Sequence, residues 1–286
     1  MPELPEVEVI ARGLAPVLEG RLLEGVLVSG KPLRSFSGQA SVLRPLKGQR
    51  LIDLSRRAKT LIWTFERHWM AIHLGMSGVL LWRPGTVVGE PPPHCHLRCR
   101  WEHGELWFVD PRRFGDIRVL ARPQGVMGEA LGAGDPPASL LGGSAAGREP
   151  LSETLCAADL VGAAKGVRQP VKVWLMKGDP LVGVGNIYAS ESLYRAGIHP
   201  ARAAGRIAPQ RLILLLGVIR LVLEEAIAAG GSTLRDFRQS DGASGRYAGQ
   251  HRVYGRAGEP CIACARPIRR IIQAQRATYF CSGCQR

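Results

Sequence analysis

The chain has no run of apolar residues long enough to span a membrane. Its most apolar stretch, LILLLGVI at 212–219, stops at Arg220, well short of the ~20 residues that a bilayer requires. The N-terminus has neither the basic nor the apolar region of a secretory signal, so a cytoplasmic protein is expected. Acidic residues are scarce beside basic ones: 24 Asp and Glu against 38 Lys and Arg, giving a net charge of +14 and a pI near 10.1. A folded chain this basic suits a polyanion, and nucleic acid fits better than an acidic membrane surface. No nucleotide, flavin or catalytic-metal motif is present, so any activity should need no added cofactor. Cysteine is uneven: of seven, an odd number, four fall in the last 26 residues. In a reducing compartment such clustering points to metal ligation before disulfides.

What is present suffices for one large or two ordinary domains, since 286 residues with 45% hydrophobic content can bury real cores. Val7, Ile10, Leu14, Val17 and Leu18 recur at helical spacing behind Pro5 and Glu6, with Gly20 as the stop. From Val26 to about Leu120 the pattern changes to short apolar runs: LIDLS (51–55), TLIWTFE (60–66), WMAIHLG (69–75), GVLLW (78–82), HLRCRW (96–101) and ELWFVD (105–110). EHGE at 102–105 reads as a hairpin turn. A β-sandwich or flattened barrel behind one helix is therefore expected. A Gly-, Ala- and Pro-rich span follows and marks the best domain boundary. Beyond it the pattern is helical, over 155–165, 171–176, 186–197 with Asn186 as N-cap, and 209–229, apolar nearly all round.

Three stretches carry chemistry. Cys261-x-x-Cys264 and Cys281-x-x-Cys284 bracket sixteen residues, the spacing of a four-thiolate zinc ribbon. With all four positions filled by protein, one structural Zn2+ is expected. Eight arginines and one acid, Glu259, lie between Arg246 and Arg286, so the stapled hairpin is suited to phosphates. GVGN at 183–186 combines close-approach glycines with the start of a helix, a phosphate-binding arrangement. The chain opens MPELPEVEVI. Removal of Met1 would expose Pro2 as a secondary amine, and an α-amino group titrates near ~8 against ~10.4 for lysine, leaving more of it nucleophilic. Pro and Glu at a helix start also serve simply to launch the helix.

PELPEVE, HLGMSG at 73–78, DPRRFG at 110–115, GVGNIYASE, VYGRAGEPC at 253–261 and the terminal CxxC pair occur in this order. Together they resemble the formamidopyrimidine-DNA glycosylase family along essentially the whole chain. The resemblance implies an α+β, multi-domain architecture: an N-terminal β-sandwich with its leading helix, then a helix–two-turn–helix domain ending in a zinc finger. Its boundaries would be 1–131 for the catalytic domain, 132–150 for the linker, 151–250 for the helical domain and 251–286 for the finger. It implies a base-excision repair enzyme that excises oxidised purines from duplex DNA and cuts the abasic strand by β,δ-elimination. The partner would be double-stranded DNA carrying oxidised bases or abasic sites, met by a monomer in the bacterial cytoplasm or nucleoid.

Residue by residue, Pro2 matches the family's nucleophile, Glu3 its general acid/base, Glu6 an auxiliary carboxylate and Lys59 a hairpin lysine at the lesion phosphate. Met76, Arg112 and Phe114 match the residues that fill the hole left by the flipped nucleotide. His94, Lys172, Asn186, Arg235, Tyr254 and Arg276 match DNA-contacting positions. Several positions depart from the pattern. The loop at 233–247 continues as GRYAG where Gly-Tyr-Phe is usual, Cys95 stands between two histidines, and Pro180 precedes the GVGN stretch. His94, Cys95, His96 and Cys99 do not form a second metal site, because alternate strand residues face opposite ways. Two other readings are an endonuclease VIII-like enzyme for oxidised pyrimidines and a non-catalytic damaged-DNA-binding protein. PELPEVE with the Arg112/Phe114 pair argues against the first, and Glu3, Glu6 and Lys59 argue against the second.

Overall fold

The computed structural model describes residues 1–86, 89–123, 136–141, 147–234 and 236–286. It divides into two compact units, Met1–Ala145 with Gly230–Arg246, and Ala146–Ala229 with Tyr247–Arg286. These units cut across the expected 151–250 domain: Gly230–Arg246 packs with the N-terminal unit. The cause is visible in one side chain, Phe237, which is buried in that unit's core.

The first unit opens with α1 (Leu4–Leu18), which ends where Gly20 adopts a left-handed φ. Its apolar stripe, Val7, Ile10, Ala11, Leu14 and Leu18, is buried in the core of the sandwich. Two antiparallel four-stranded sheets follow. One has β1 (Leu23–Val28), β6 (Cys95–Trp101), β7 (Gly104–Val109) and β5 (Val79–Pro84) in that order. The other has β2 (Leu51–Arg57), β3 (Thr60–Phe65), β4 (His68–His73) and β8 (Asp116–Ala121). Six of these strands are the six apolar runs named from sequence.

Strand β3 is buried at every position, which a sandwich with one wet face would not require. Leu61, Trp63 and Phe65 face the main core, while Ile62 meets Trp69, Ala71 and Leu140 in a second cluster. Leu140 belongs to α3 (Ala138–Leu141), which lies inside the span expected as linker. Of that span, residues 132–135 and 142–146 lie outside the described residues.

The second unit contains α4 (Ala157–Ala164), α5 (Val171–Met176), α6 (Asn186–Arg195) and α7 (Pro209–Ala228), then the hairpin of β9 (Arg269–Gln273) and β10 (Arg276–Phe280). Helix α7 is not buried all round as expected: Ile213, Leu214 and Leu221 are exposed on one side, opposite Leu212, Leu215, Leu216, Ile219 and Leu223. Its sequence is apolar on both faces, so composition alone cannot say which side is covered. No described helix is long and apolar enough to cross a membrane.

Candidate active site and nucleic-acid interface

The start of α1 is built around two buried carboxylates. Glu3 and Glu6 form a capping box at the helix N-terminus, where backbone N–H groups lack helical acceptors and a negative charge is favoured. The N–H of Glu3 donates to Glu6 Oε2 at 2.8 Å. The other oxygen, Oε1, accepts from the N–H of Ser232, also at 2.8 Å. Both carboxylates are almost wholly shielded from water and Pro2 is buried beside them. Glu6 thus fixes the residue next to Pro2 and, 226 positions later, the loop that begins at Gly231.

That loop is closely tied to its own unit. Thr233 Oγ1 donates to the carbonyl of Phe237 and accepts from the N–H of Gly245. The N–H of Trp82 in β5 donates to the Ser240 carbonyl at 2.8 Å. Gly245 has no room for a side chain, since a Cβ there would stand 2.2 Å from the Gly231 carbonyl oxygen. Arg235, expected as a DNA contact, lies outside the described residues.

Lys59 sits in the two-residue turn between β2 and β3, after Ala58 in a left-handed conformation. Across the ladder, Thr60 pairs with His73. Burial, then the charges of Lys59 and Arg34, hold the His73 imidazole below its usual pKa. His73 Nδ1 accepts from the N–H of Gly75, so the neutral ring carries its proton on Nε2. Together with Arg34 and Arg118, His73 lines a cavity of about 400 Å³. Sequence reading did not single out His73, although it opens the HLGMSG stretch.

Met76, Arg112 and Phe114 lie on two loops locked together by one buried acid, Asp110. Its Oδ1 accepts from Ser77 Oγ at 2.6 Å and its Oδ2 from the N–H of Gly115 at 2.8 Å. Its backbone carbonyl meets His96 Nε2 at 3.0 Å, and His96 Nδ1 in turn meets Ser29 Oγ. Gly75 is required where the loops touch: its φ is +65°, and a Cβ would lie 2.4 Å from the Phe114 carbonyl carbon. Above this rigid base Met76 and Phe114 remain 39% and 45% exposed, although large apolar groups are normally buried. The Arg112 guanidinium lies over the Phe114 ring at 4.7 Å. His94 is exposed with φ +66°, and its carbonyl accepts from the N–H of Asp110. Asp110 was not singled out from sequence, though it opens the DPRRFG stretch.

In the second unit the structure alters two expectations. Gly185, not Asn186, is the N-cap of α6, and Asn186 is its first helical residue. Lys172 is 1% exposed and therefore is not a surface contact. Its ammonium donates to Asn186 Oδ1 at 2.5 Å, Thr278 Oγ1 at 2.8 Å and the Ala277 carbonyl at 3.4 Å. Because an ammonium only donates, it fixes the Asn186 amide with Oδ1 inward. Asn186 Nδ2 then donates to the Ala277 carbonyl and stands 3.5 Å from the Tyr254 hydroxyl. Glu191, fully buried in α6, accepts from the N–H groups of Arg252, Val253 and Tyr254. Arg276 is exposed at the start of β10, after a turn in which Ala274 and Gln275 both have positive φ.

The sulfurs of Cys261, Cys264, Cys281 and Cys284 lie within 4.8 Å of one another. The Cys261–Cys284 and Cys264–Cys281 pairs are 3.8 and 3.4 Å apart. A zinc tetrahedron with ~2.3 Å bonds has edges of roughly 3.8 Å, so the ligands fit. Four thiols this close cannot all ionise alone. Burial pushes Cys261 up, but the Tyr194 hydroxyl and backbone N–H groups outweigh it and bring that thiol to about 6. Burial pushes Cys284 up to about 12. A dication removes the conflict by stabilising all four thiolates.

Three family models match in order: the formamidopyrimidine-DNA glycosylase N-terminal domain over 1–117, its H2TH domain over 146–238, and the zinc finger found in FPG and IleRS over 258–286. Formamidopyrimidine-DNA glycosylases of Alkalilimnicola ehrlichii and Burkholderia pseudomallei are each 45% identical, over 291 and 290 residues, with all of both chains covered. Among solved structures, MutM (Fpg) of Thermus thermophilus aligns with TM-score 0.81 and 36% identity, covering 99% of this chain and 98% of that one. A Lactococcus lactis Fpg variant bound to DNA containing Fapy-dG aligns with TM-score 0.85 and 28% identity, covering 99% of each.

Proposed function

The chain belongs to the formamidopyrimidine-DNA glycosylase family, and on that premise we propose how its residues divide the work of excising oxidised purines from duplex DNA. It is a base-excision repair glycosylase that also cuts the abasic strand. Its partner is double-stranded DNA with oxidised bases or abasic sites, met by a single chain, and a cytoplasmic site of action fits the bacterial origin of its relatives. The observation that supports the assignment of the centre is the buried Glu3–Glu6 pair, in which Glu6 holds the residue that follows Pro2 and ties it to Ser232.

With Met1 removed, the secondary amine of Pro2 attacks C1′ of the damaged nucleotide as the bond from C1′ to the base breaks; the base leaves with the bonding pair and takes up a proton, and the amine nitrogen gives up its own. Glu3 protonates the sugar ring oxygen, the ring opens, and nitrogen and C1′ are joined as an iminium ion. The iminium withdraws electrons, so loss of a proton from C2′ expels the 3′ phosphate. Loss of a proton from C4′ then expels the 5′ phosphate, and water hydrolyses the iminium to return the amine. Glu3 serves as acid and base because it is adjacent to Pro2, and such groups contribute about 10²–10⁴-fold. Glu6, with both oxygens committed to backbone N–H groups, positions rather than reacts.

Extruding a nucleotide costs a few kcal/mol of lost stacking. Phe114 wedges the stack, Met76 fills the gap, and the planar fork of Arg112 pairs with the orphaned base. Lys59 holds the phosphate at the lesion; His94 and Arg235 are assigned to the same strand contacts. Asn186, Tyr254 and Arg276 hold phosphates from the second unit, where Lys172 acts by orienting Asn186. The Cys261, Cys264, Cys281 and Cys284 set holds one structural Zn2+, which supplies the stability that so short a finger lacks.

Borohydride trapping tests this reading. Protein with a mass-verified Pro2 terminus is incubated with duplexes carrying 8-oxoguanine opposite cytosine or thymine glycol. A covalent band that requires Pro2 and favours 8-oxoguanine is expected. Trapping mainly with thymine glycol would move the protein to the pyrimidine-specific class. No adduct on either duplex would overturn the enzyme assignment.

A further inference from the structure

Arg246 is an exposed cation at an unusual address. It forms a β-bridge with Ser232, the residue whose N–H donates to Glu6 Oε1, while Glu6 Oε2 holds the N–H of Glu3. Arg246 is thus two links from the buried carboxylates that fix the nucleophile. Its guanidinium has no hydrogen-bond or ion-pair partner among the described residues. Its backbone is nonetheless firmly placed. The preceding Gly245 lies too close to Gly230 and Gly231 to carry a Cβ, and Thr233 Oγ1 accepts from its N–H. Chain geometry therefore anchors Arg246 beside Ser232, with its side chain exposed.

Glu3 and Glu6 put two carboxylates where a phosphodiester backbone must come close, and like charges there oppose binding. A guanidinium anchored beside Ser232 offsets this, and its planar fork matches two phosphate oxygens at once. We propose that Arg246 grips a phosphate of the damaged strand next to the extruded nucleotide, at the position where the resembled pattern has tyrosine. The inference rests on the glycosylase reading.

Binding of wild type, Arg246→Ala and Arg246→Lys to two duplexes, one with 8-oxoguanine and one with a tetrahydrofuran abasic analogue, is measured across a potassium chloride series. Zinc content and thermal midpoint report on folding. Loss of one charged hydrogen-bonding contact predicts about tenfold weaker binding by Arg246→Ala on both duplexes. The slope of log affinity against log salt should flatten by about 0.9, one phosphate's worth of released counterions. Arg246→Lys should keep the slope. A slope unchanged in Arg246→Ala overturns the proposal, and so does a loss confined to the 8-oxoguanine duplex, which would signal base contact. Wild-type protein that traps on borohydride while Arg246→Ala keeps its slope sinks only this assignment; wild type that fails to trap sinks the glycosylase reading itself.

Discussion

The two units organise their chemistry with buried charges of opposite sign. In the first, the Glu6 carboxylate gathers backbone N–H groups from two distant stretches. In the second, the Lys172 ammonium gathers acceptors from α6 and β10. An anion can collect donors that the backbone supplies freely at a helix start. A cation needs acceptors, and here an amide, a hydroxyl and a carbonyl provide them. The first arrangement stands on the core of the sandwich, the second on the buried faces of α5, α6 and α7 together with a small cluster around the cysteines. Centres of similar polarity therefore depend on different supports.

The sharpest way to break the comparison is to remove zinc. Structural zinc contributes on the order of 10 kcal/mol or more in short fingers. Chelation, or Cys261→Ser, should unfold the β9–β10 region and reduce DNA affinity by about 100-fold or more. The sandwich should retain its own cooperative melting transition. Calorimetry with zinc analysis checks this, and loss of both transitions together would refute the separation.

A smaller effect is expected from neutralising each buried charge at nearly constant volume. Lys172→Met strands the Asn186 and Thr278 acceptors and should cost about 2–3 kcal/mol in urea unfolding. Glu6→Gln keeps one acceptor oxygen but turns an amide donor towards the other N–H, so about 1–2 kcal/mol is expected, with slower borohydride trapping. If Lys172→Met slowed trapping on an already bound duplex as much as Glu6→Gln does, the two charges would not have separate roles.

The smallest effect is a pH dependence arising at His73 in the sandwich. Burial first, then Lys59 and Arg34, depress the His73 pKa. The unfolded imidazole, titrating near ~6.5, therefore binds a proton before the folded one does. Stability is fully present above that value and falls as pH drops from it towards the depressed folded pKa. One histidine contributes at most about 1.4 kcal/mol per pH unit. Denaturation at stepped pH should show a shallower acid slope for His73→Gln.

Much of the sandwich was legible because alternating strands between turn residues declare themselves locally, and two CxxC knuckles carry their own spacing. The covered outer face of β3 was not, since Leu140 comes from a stretch whose composition reads as linker. Lys172 misled because a lysine is nearly always placed at the surface, and nothing near it in sequence reveals Thr278. Asp110 and Glu191 stay hidden as well: most of their partners are backbone N–H groups, which no sequence pattern marks. The exposed side of α7 is beyond composition, because both of its faces are apolar.

The bond from Ser232 to Glu6 spans 226 positions, and this separation sets an order of assembly. A ribosome releases Pro2, Glu3 and Glu6 first and supplies Ser232 only near the end of synthesis. Until then Glu6 Oε1 lacks that donor, and the carboxylate that holds the Glu3 N–H is not tied to the later loop. A chain interrupted before residue 232 would carry the proposed nucleophile without its complete setting. One hydrogen bond thus ties the setting of the proposed nucleophile to the last fifth of the polypeptide.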